Sequence, residues 1–262
     1  MDFVPVGEWG LFPAAKPWLI AGPCSAESEG QVLETARRLR ELSGKDRAVP
    51  DIVFRAGLWK QRTHPCGYEG PGLEGLPWLL RARQECGLKI CTEVACAAHV
   101  KACIAAGVDM VWIGARTTPS PYLMQEIADA LEGSDLPVLV KNPIACDLEL
   151  WSGAVERLLG RGVRKLGLVH RGVSSLSEKR YRNDPAWNFA QRMRSLYPDL
   201  PCFFDPSHVA GARDYVPELS RRALEEGFDG LMVEVHPRPD EARSDAAQQL
   251  TPEALEGLLA SL

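Results

Sequence analysis

The chain has 262 residues and a formal net charge of −5, with 45% hydrophobic and 25% charged residues. This composition is typical of a globular protein whose core needs no disulfides, and the negative balance argues against a general affinity for nucleic acid or anionic membranes. No apolar run approaches the ~20 residues of a membrane span, and the first residues lack the basic and apolar segments of a secretion signal.

Short apolar runs alternate with longer amphipathic stretches along the chain. Each run is apolar throughout and rich in Val, Ile, Leu or Phe, which favours buried parallel strands over half-exposed antiparallel ones. The predicted strands cover residues 18–22, 51–55, 88–93, 109–114, 137–141, 165–170, 201–205 and 230–234.

Helical patterns lie between these runs, at 29–42, 73–86, 97–106, 120–132, 147–160, 185–196, 213–227 and 252–261. Ser28 is placed to cap the first helix, and Thr251 with Pro252 forms a strong start for the last. An open, doubly wound sheet is one arrangement of such a chain. Strict βα alternation over this length favours a closed (β/α)8 TIM barrel, a single domain over 1–262 whose extension 1–17 covers the barrel bottom.

Five cations follow the predicted strands, where the active site of such a barrel lies. They are Arg55, Lys60, Arg116, Lys141 and Arg171. Solvated charges usually lie on helix faces, so cations directly after strands predict a pocket for dianions. Arginine offers two-pronged hydrogen bonds to phosphate or carboxylate, and lysine a point charge.

A second group of residues lies after strand ends or in the loops beyond them: Cys24, His208, Glu234 and Asp245. Thiolate, imidazole and carboxylate ligands together suit a divalent transition metal with an open position for substrate. Three of them also have a structural explanation: Cys24 as a core residue or half of a disulfide, His208 as a hydrogen-bonded loop residue, and Asp245 as a helix cap.

Cys24 as a nucleophile, with His208 as its base, is the chemical rival. Peptide or amide hydrolysis has no use for five positive charges, which argues against it. The chain has eight cysteines and no C-x-x-C pair, so we expect free thiols, mostly in the core, in a reducing cytoplasm.

Seven motifs, in order from about Trp18 to the C-terminus, together resemble one family: "AGPCSAES", "FRAGLWKQRT", "WIGARTT", "LVKNP", "HRG", "DPSHVAG" and "SDAAQQLTPEAL". The sequence is similar to type I 3-deoxy-D-arabino-heptulosonate-7-phosphate (DAHP) synthase, and most of all to the barrel domain of forms fused to chorismate mutase. The resemblance implies a (β/α)8 barrel that joins phosphoenolpyruvate to erythrose 4-phosphate, the first step towards aromatic amino acids.

The resemblance also implies roles for individual residues. The family's divalent metal, Mn²⁺ or else Fe²⁺, Co²⁺ or Zn²⁺, would be held by Cys24, His208, Glu234 and Asp245. Its phosphoenolpyruvate pocket falls on Arg55, Lys60, Glu93, Arg116, Lys141 and Arg171, with the backbone amides of Gly114 and Ala115. Catalytic roles fall on Lys60, Lys141 and Glu93, the last two as candidates for proton transfer.

The family's sugar-phosphate motif, usually Lys-Pro-Arg-Ser/Thr, falls on Lys60, Gln61, Arg62 and Thr63. Gln61 replaces the proline, so the loop loses a fixed φ and gains an N–H. A sibling enzyme makes 3-deoxy-octulosonate 8-phosphate from arabinose 5-phosphate, and its motif, Lys-Ala-Asn-Arg-Ser, is one residue longer between Lys and Arg. The shorter spacing here favours the four-carbon sugar.

A non-catalytic barrel that binds a chorismate mutase is the alternative from another functional class, and filled catalytic positions argue against it. The resemblance implies a homo-oligomer, a dimer or a tetramer, with a chorismate mutase as a candidate partner. No segment resembling that mutase flanks the barrel motifs. This leaves two expectations, a single-domain enzyme or the barrel of a longer protein.

Overall fold

A computed structural model of the chain describes residues 3–13, 16–43, 51–62, 64, 66–177 and 180–262. Within these residues, eight parallel strands pair in chain order, and the last pairs with the first to close a barrel. The strands are β1 Trp18–Gly22, β2 Ile52–Arg55, β3 Lys89–Val94, β4 Met110–Ile113, β5 Val138–Lys141, β6 Leu166–His170, β7 Cys202–Phe204 and β8 Gly230–Glu234. The predicted (β/α)8 barrel is confirmed, and its predicted strands differ from these by at most one residue at either end.

Helices connect the strands around the outside of the barrel. Those of the described residues are α1 Glu29–Leu42, α2 Leu76–Cys86, α3 Ala97–Ala106, α4 Pro121–Leu131, α5 Leu148–Gly160, α6 Trp187–Leu196, α7 Pro206–Ala210, α8 Val216–Glu225 and α9 Pro252–Leu259. The predicted caps form: the hydroxyl of Ser28 accepts a hydrogen bond from the Gln31 amide, and that of Thr251 accepts one from Ala254.

The short helix α7 is absent from the predicted elements. Its five residues are too few to show a helical period. The local signals are nevertheless present in the sequence. Asp205 caps the helix through its side chain, Pro206 occupies the first turn, and Gly211 ends it with a φ of +70°, which is a conformation that favours glycine.

The N-terminal segment packs against the bottom of the barrel. Val6, Trp9, Leu11 and Phe12 are buried in one cluster with the apolar residues of the barrel interior. The ring centroids of Phe12 and Phe203 lie 5.4 Å apart. This apolar contact closes the end of the barrel opposite to the strands' carboxyl ends.

No helix among the described residues combines the length and the apolar character needed to cross a membrane. All eight cysteines lie in the described ranges, and none of them forms a disulfide. Five are buried: Cys24, Cys86, Cys91, Cys103 and Cys202.

Candidate active site

Side-chain alternation along the strands places polar groups directly above the apolar barrel interior. Residues two apart on a strand point to the same face, so Arg55 follows Val53 of the interior cluster and Asp205 follows Phe203. The same step on four other strands leads to Glu93, Lys141, Arg171 and Glu234, and on the remaining two it leads to Gly22 and Gly114. The pleat that fills the barrel with apolar side chains therefore directs a charged set towards its carboxyl end.

A cavity of about 270 Å³ opens at this end. Ten of the predicted site residues line it: Lys60, Arg62, Glu93, Gly114, Ala115, Arg116, Lys141, Arg171, His208 and Asp245. Cys24, Arg55 and Glu234 are fully buried next to the cavity and contact its lining residues or one another. Thr63 lies outside the described residues.

Asp205 joins two of the lining residues. Its Oδ2 accepts hydrogen bonds from Lys141 Nζ at 2.6 Å and from His208 Nδ1 at 2.8 Å. Burial alone would raise the pKa of Asp205, but His208 and Lys141 outweigh it, so the pKa lies well below its ordinary value. Burial lowers the pKa of Lys141, against the opposing pull of Asp205. Asp205 is thus a carboxylate that orients an amine and an imidazole.

Glu93 and Lys60 form the opposite wall. Lys60 Nζ lies 3.3 Å from Glu93 Oε2, and both side chains are largely buried. Burial alone would raise the pKa of Glu93, but Lys60 and Lys141 lower it below its usual value. Burial would lower the pKa of Lys60, but the neighbouring acidic groups, Glu93 and Glu234 among them, raise it instead. The pair is therefore ionised on both sides.

Cys24, Glu234 and Asp245 bring a sulfur and two carboxylate oxygens within 4.8 Å of one another. The Cys24 thiol donates to Asp245 Oδ2 at 3.2 Å. Burial, reinforced by the charge of Glu234, raises the pKa of Cys24 to about 12. Reactive cysteine nucleophiles have lowered pKa values, so the environment of Cys24 is that of a protonated thiol and not of an activated nucleophile.

His208 borders this cluster but is not one of its three members. With Nδ1 held by Asp205, its Nε2 faces Glu234 Oε1 at 3.7 Å. A metal-binding histidine typically has its second nitrogen hydrogen-bonded to a carboxylate in this way. Sulfur, nitrogen and oxygen donors together match a divalent first-row transition ion, so the four predicted residues fit such a metal.

Buried arginine N–H groups that lack partners in the described part of the chain give this region the donors that an anion needs. Arg55 Nη2 donates to Glu234 Oε1 at 3.1 Å, and its guanidinium lies 4.8 Å from the Trp112 ring centroid. Arg55 Nε and Nη1, and also Arg171 Nη1, have no hydrogen-bond partner among the described residues. Burial lowers the pKa of Arg171 to about 10. Unsatisfied buried donors are costly, and oxygens of a phosphate or carboxylate would satisfy them.

The sequence interpretation assigned no role to three polar residues of this region: Asp205, which stands at a predicted strand end, Arg182 and Gln248. Asp205 had a usable signal, because it lies two positions after an interior residue and starts the "DPSH" helix. Arg182 Nη1 donates to Asp245 Oδ1 at 2.8 Å and to Gln248 Oε1 at 2.9 Å. These contacts join segments more than sixty positions apart, so no local sequence pattern predicts them.

Comparisons with known proteins show what the chain is similar to. The sequence profile of the DAHP synthetase I family matches residues 14–262. The chain is 34% identical over 232 residues to the phospho-2-dehydro-3-deoxyheptonate aldolase of Thermotoga maritima, and the match covers 88% of this chain. The chain spans only 64% of the length of that relative. It is 33% identical over 251 residues to the 2-dehydro-3-deoxyphosphooctonate aldolase of Syntrophotalea carbinolica, with 88% of this chain and 84% of that protein covered.

Solved structures show the same likeness. The crystal structure of phospho-2-dehydro-3-deoxyheptonate aldolase (DAHP synthase) from Thermotoga maritima gives a TM-score of 0.81 at 33% identity, covering 93% of this chain and 68% of the other. A truncated form of 3-deoxy-D-arabino-heptulosonate 7-phosphate synthase from the same organism gives 0.78 at 32% identity, with 93% and 84% covered.

Proposed function

The chain belongs to the DAHP synthetase I family, and on this premise we propose that it condenses phosphoenolpyruvate with erythrose 4-phosphate and water to give DAHP and phosphate. The observation that carries the proposal is the cation-lined cavity beside the Cys24, Glu234 and Asp245 cluster. An enzyme that condenses two phosphorylated substrates needs positive charge in its active site. An enzyme that hydrolyses peptides or amides does not.

We assign phosphoenolpyruvate to the buried arginines Arg55 and Arg171. Arg55 and Arg171 carry buried N–H groups that have no partner among the residues the structure describes, and these would bind its carboxylate and phosphate oxygens. Lys141 and Arg116 line the same cavity, and the backbone amides of Gly114 and Ala115 complete the proposed pocket. Fixing the substrate in one orientation accounts for a large part of the rate of such a reaction.

Erythrose 4-phosphate is assigned to the loop between β2 and α2. Arg62 Nε donates to the carbonyl of Tyr68 at 2.7 Å, which supports its guanidinium at the cavity. Lys60 and Arg62 would bind the terminal phosphate, and Thr63 is proposed to add its hydroxyl. Gln61 Nε2 donates to Thr117 Oγ1 at 3.0 Å, which tethers this loop in place of the proline usual in the family.

A divalent cation, Mn²⁺ or else Fe²⁺, Co²⁺ or Zn²⁺, would be held by Cys24, His208, Glu234 and Asp245. When bound, it supplies Lewis acidity towards the aldehyde oxygen of the sugar phosphate. The fit of the donor set supports this assignment, and so does the orientation of the His208 ring by Asp205.

The proposed reaction forms a bond between C3 of phosphoenolpyruvate and the aldehyde carbon. Positive charge develops at C2, water adds there, and phosphate leaves with cleavage of its C–O bond. Lys141 Nζ, whose pKa is lowered by burial, is proposed to give the aldehyde oxygen its proton. Glu93, an ionised carboxylate beside Lys60, is proposed to take a proton from the added water.

Arabinose 5-phosphate is the competing sugar, since octonate aldolases are among the relatives. The single residue between Lys60 and Arg62 favours the four-carbon sugar.

The cysteines without disulfides support a reducing, cytoplasmic compartment.

The test is a phosphate-release assay with phosphoenolpyruvate and each sugar phosphate, with and without a chelator. We expect a much larger kcat/KM for erythrose 4-phosphate, loss of activity on chelation and recovery with Mn²⁺. Comparable kcat/KM values for both sugars would refute the substrate assignment. Full activity in a rigorously metal-free sample would refute the role of the metal.

A further inference from the structure

Arg182 links two carboxylates of the proposed metal site through one nitrogen. Its Nη1 donates to Asp245 Oδ1 at 2.8 Å and to Gln248 Oε1 at 2.9 Å. Gln248, which is almost fully buried, in turn donates from Nε2 to Glu234 Oε2 at 2.7 Å. A single guanidinium thus supports Asp245 directly and Glu234 through one intervening amide.

The backbone around Arg182 is fixed to the helix that carries His208. The Arg182 amide donates to the carbonyl of Ala210 at 3.2 Å, and Asn183 Nδ2 donates to that of His208 at 2.7 Å. A β-carbon on Gly211 would lie 2.4 Å from the Arg182 β-carbon, so the two segments are in close contact. Arg182 is therefore anchored at the point where the supports of three proposed ligands meet.

Both carboxylates of the cluster have an oxygen that is held by a side chain outside it. Asp245 Oδ1 is held by Arg182, while Oδ2 lies 3.2 Å from Cys24 Sγ. Glu234 Oε2 is held by Gln248, while Oε1 faces His208 Nε2 and also accepts a hydrogen bond from Arg55 Nη2. Asp245 adopts a left-handed backbone conformation with a φ of +46°, which is costly for a residue other than glycine. The contacts of its side chain help to hold it there.

We propose that Arg182 is a positioning residue, which orients Asp245 and, through Gln248, Glu234 for the divalent cation. This inference rests on the metal dependence of the proposed function. Residues that hydrogen-bond to metal ligands without touching the metal commonly matter for binding. Substituting them typically lowers metal affinity by about 10- to 100-fold.

The direction in which the metal Kd changes when Arg182 is replaced distinguishes an orienting role from simple charge repulsion. A guanidinium next to the site repels a divalent cation, so removing its charge alone would tighten binding. Loss of orientation would weaken binding, because Asp245 and Gln248 would no longer be fixed. We expect the second effect to dominate.

The experiment measures the Kd of Mn²⁺ by isothermal titration calorimetry for the wild type, Arg182→Met and Arg182→Lys. We expect Arg182→Met to raise the Kd about 10-fold or more and Arg182→Lys to restore part of the affinity, since lysine can still donate to Asp245. Arg180→Met is the matched control, because Arg180 is an exposed arginine two positions earlier that pairs with Glu218. We expect it to leave the Kd unchanged.

An unchanged or lower Kd in Arg182→Met would overturn the inference. A higher KM for the sugar phosphate with an unchanged Kd would also overturn it, and would make Arg182 a substrate ligand. If neither the wild type nor Arg180→Met binds Mn²⁺, the metal part of the proposed function is refuted instead.

Gln248→Met provides a second route if Arg182→Met does not fold. We expect it to raise the Kd as well, because Glu234 Oε2 would lose its donor. In the double variant the two effects should be less than additive, since both residues belong to one hydrogen-bonded chain. An unchanged Kd in Gln248→Met, or strict additivity in the double variant, would contradict the shared support.

Discussion

The carboxylate of Glu93 occupies the space that a side chain at position 114 would fill. A β-carbon on Gly114 would lie 2.1 Å from Glu93 Oε1 and 3.0 Å from its Cδ. Gly114, directly after β4, therefore leaves room for a side chain of the neighbouring strand β3. In this space the Glu93 carboxylate forms its ion pair with Lys60 at 3.3 Å.

Gly114→Ala should separate activity from stability. The obstructing atoms are the far end of a flexible side chain, so Glu93 can swing away, and we expect the free energy of unfolding to change by less than about 1 kcal/mol. The displaced carboxylate should reduce kcat by on the order of 10²-fold. Steady-state kinetics and urea unfolding measure the two effects.

Gly257→Ala is the control for this substitution. Gly257 lies in α9, and a β-carbon there would meet nothing within 4 Å. We expect unchanged kinetics and a gain of up to about 1 kcal/mol in stability, since alanine favours a helix interior. Unchanged kcat in Gly114→Ala would contradict the role of Glu93.

Cys24→Ser tests the ligand role of the buried thiol. A hydroxyl is a poorer ligand than a thiolate for a borderline metal, so we expect a higher Kd for Mn²⁺ and activity that partly returns at high metal concentration. Metal titration of the variant, with mass spectrometry of the wild type during turnover, distinguishes the alternatives. A covalent adduct of phosphoenolpyruvate on Cys24 would make it a nucleophile.

Cys202→Ser controls for the burial of a hydroxyl. Cys202 lies in β7, is equally inaccessible to solvent and is not among the proposed ligands. We expect a loss of about 1–3 kcal/mol in stability with the metal Kd unchanged. If Cys24→Ser behaves in the same way, Cys24 is a packing residue only.

Gln61→Ala tests the tether of the sugar-phosphate loop. Removing the hydrogen bond from Gln61 Nε2 to Thr117 Oγ1 should loosen the loop that carries Lys60 and Arg62. We expect the KM for erythrose 4-phosphate to rise several-fold and the KM for phosphoenolpyruvate to change less. Thr117→Val removes the other partner and should give the same pattern, with no further rise in the double variant. Equal changes in both KM values would refute a specific effect on the sugar.

We expect the buried His170 to make the folded protein less stable as the pH falls. It is fully buried, its Nε2 lies 2.5 Å from the carbonyl of Pro185, and burial lowers its pKa from 6.5 to about 4. Between these values the unfolded chain binds a proton that the folded chain does not, so stability falls as the pH falls. The contribution of His170 amounts to about 2 kcal/mol between pH 7 and pH 5.

His170→Gln removes this titration and keeps a donor at the site. We expect it to be less stable than the wild type at pH 7, because the aromatic neighbours lose a ring. Its unfolding free energy should nevertheless decrease less between pH 7 and pH 5, by about the same 2 kcal/mol. Urea unfolding at the two pH values measures the difference. Parallel pH profiles for the two proteins would show that His170 does not titrate in this range.

The sequence by itself determined the strands, most helices and the order in which they alternate. Apolar runs and caps such as Ser28 and Thr251 act over a few residues, so their signals are local and survive in the sequence. Strict alternation over this length then favoured a closed barrel, and closure brings strand ends together. For this reason the cations after the strands could be assigned to one cavity, although their roles in binding and catalysis stay predictions.

Only the tertiary structure decided how these side chains pair. Arg55 with Glu234, Lys141 with Asp205, and Arg182 with Asp245 lie between 63 and 179 positions apart. No periodicity or spacing in the sequence encodes such partners, because they meet only after the barrel closes and the loops pack on its rim. Burial arises in the same step, so the raised pKa of the Cys24 thiol is likewise a property of the folded chain. The same holds for the Arg55 N–H groups that find no partner within the described ranges.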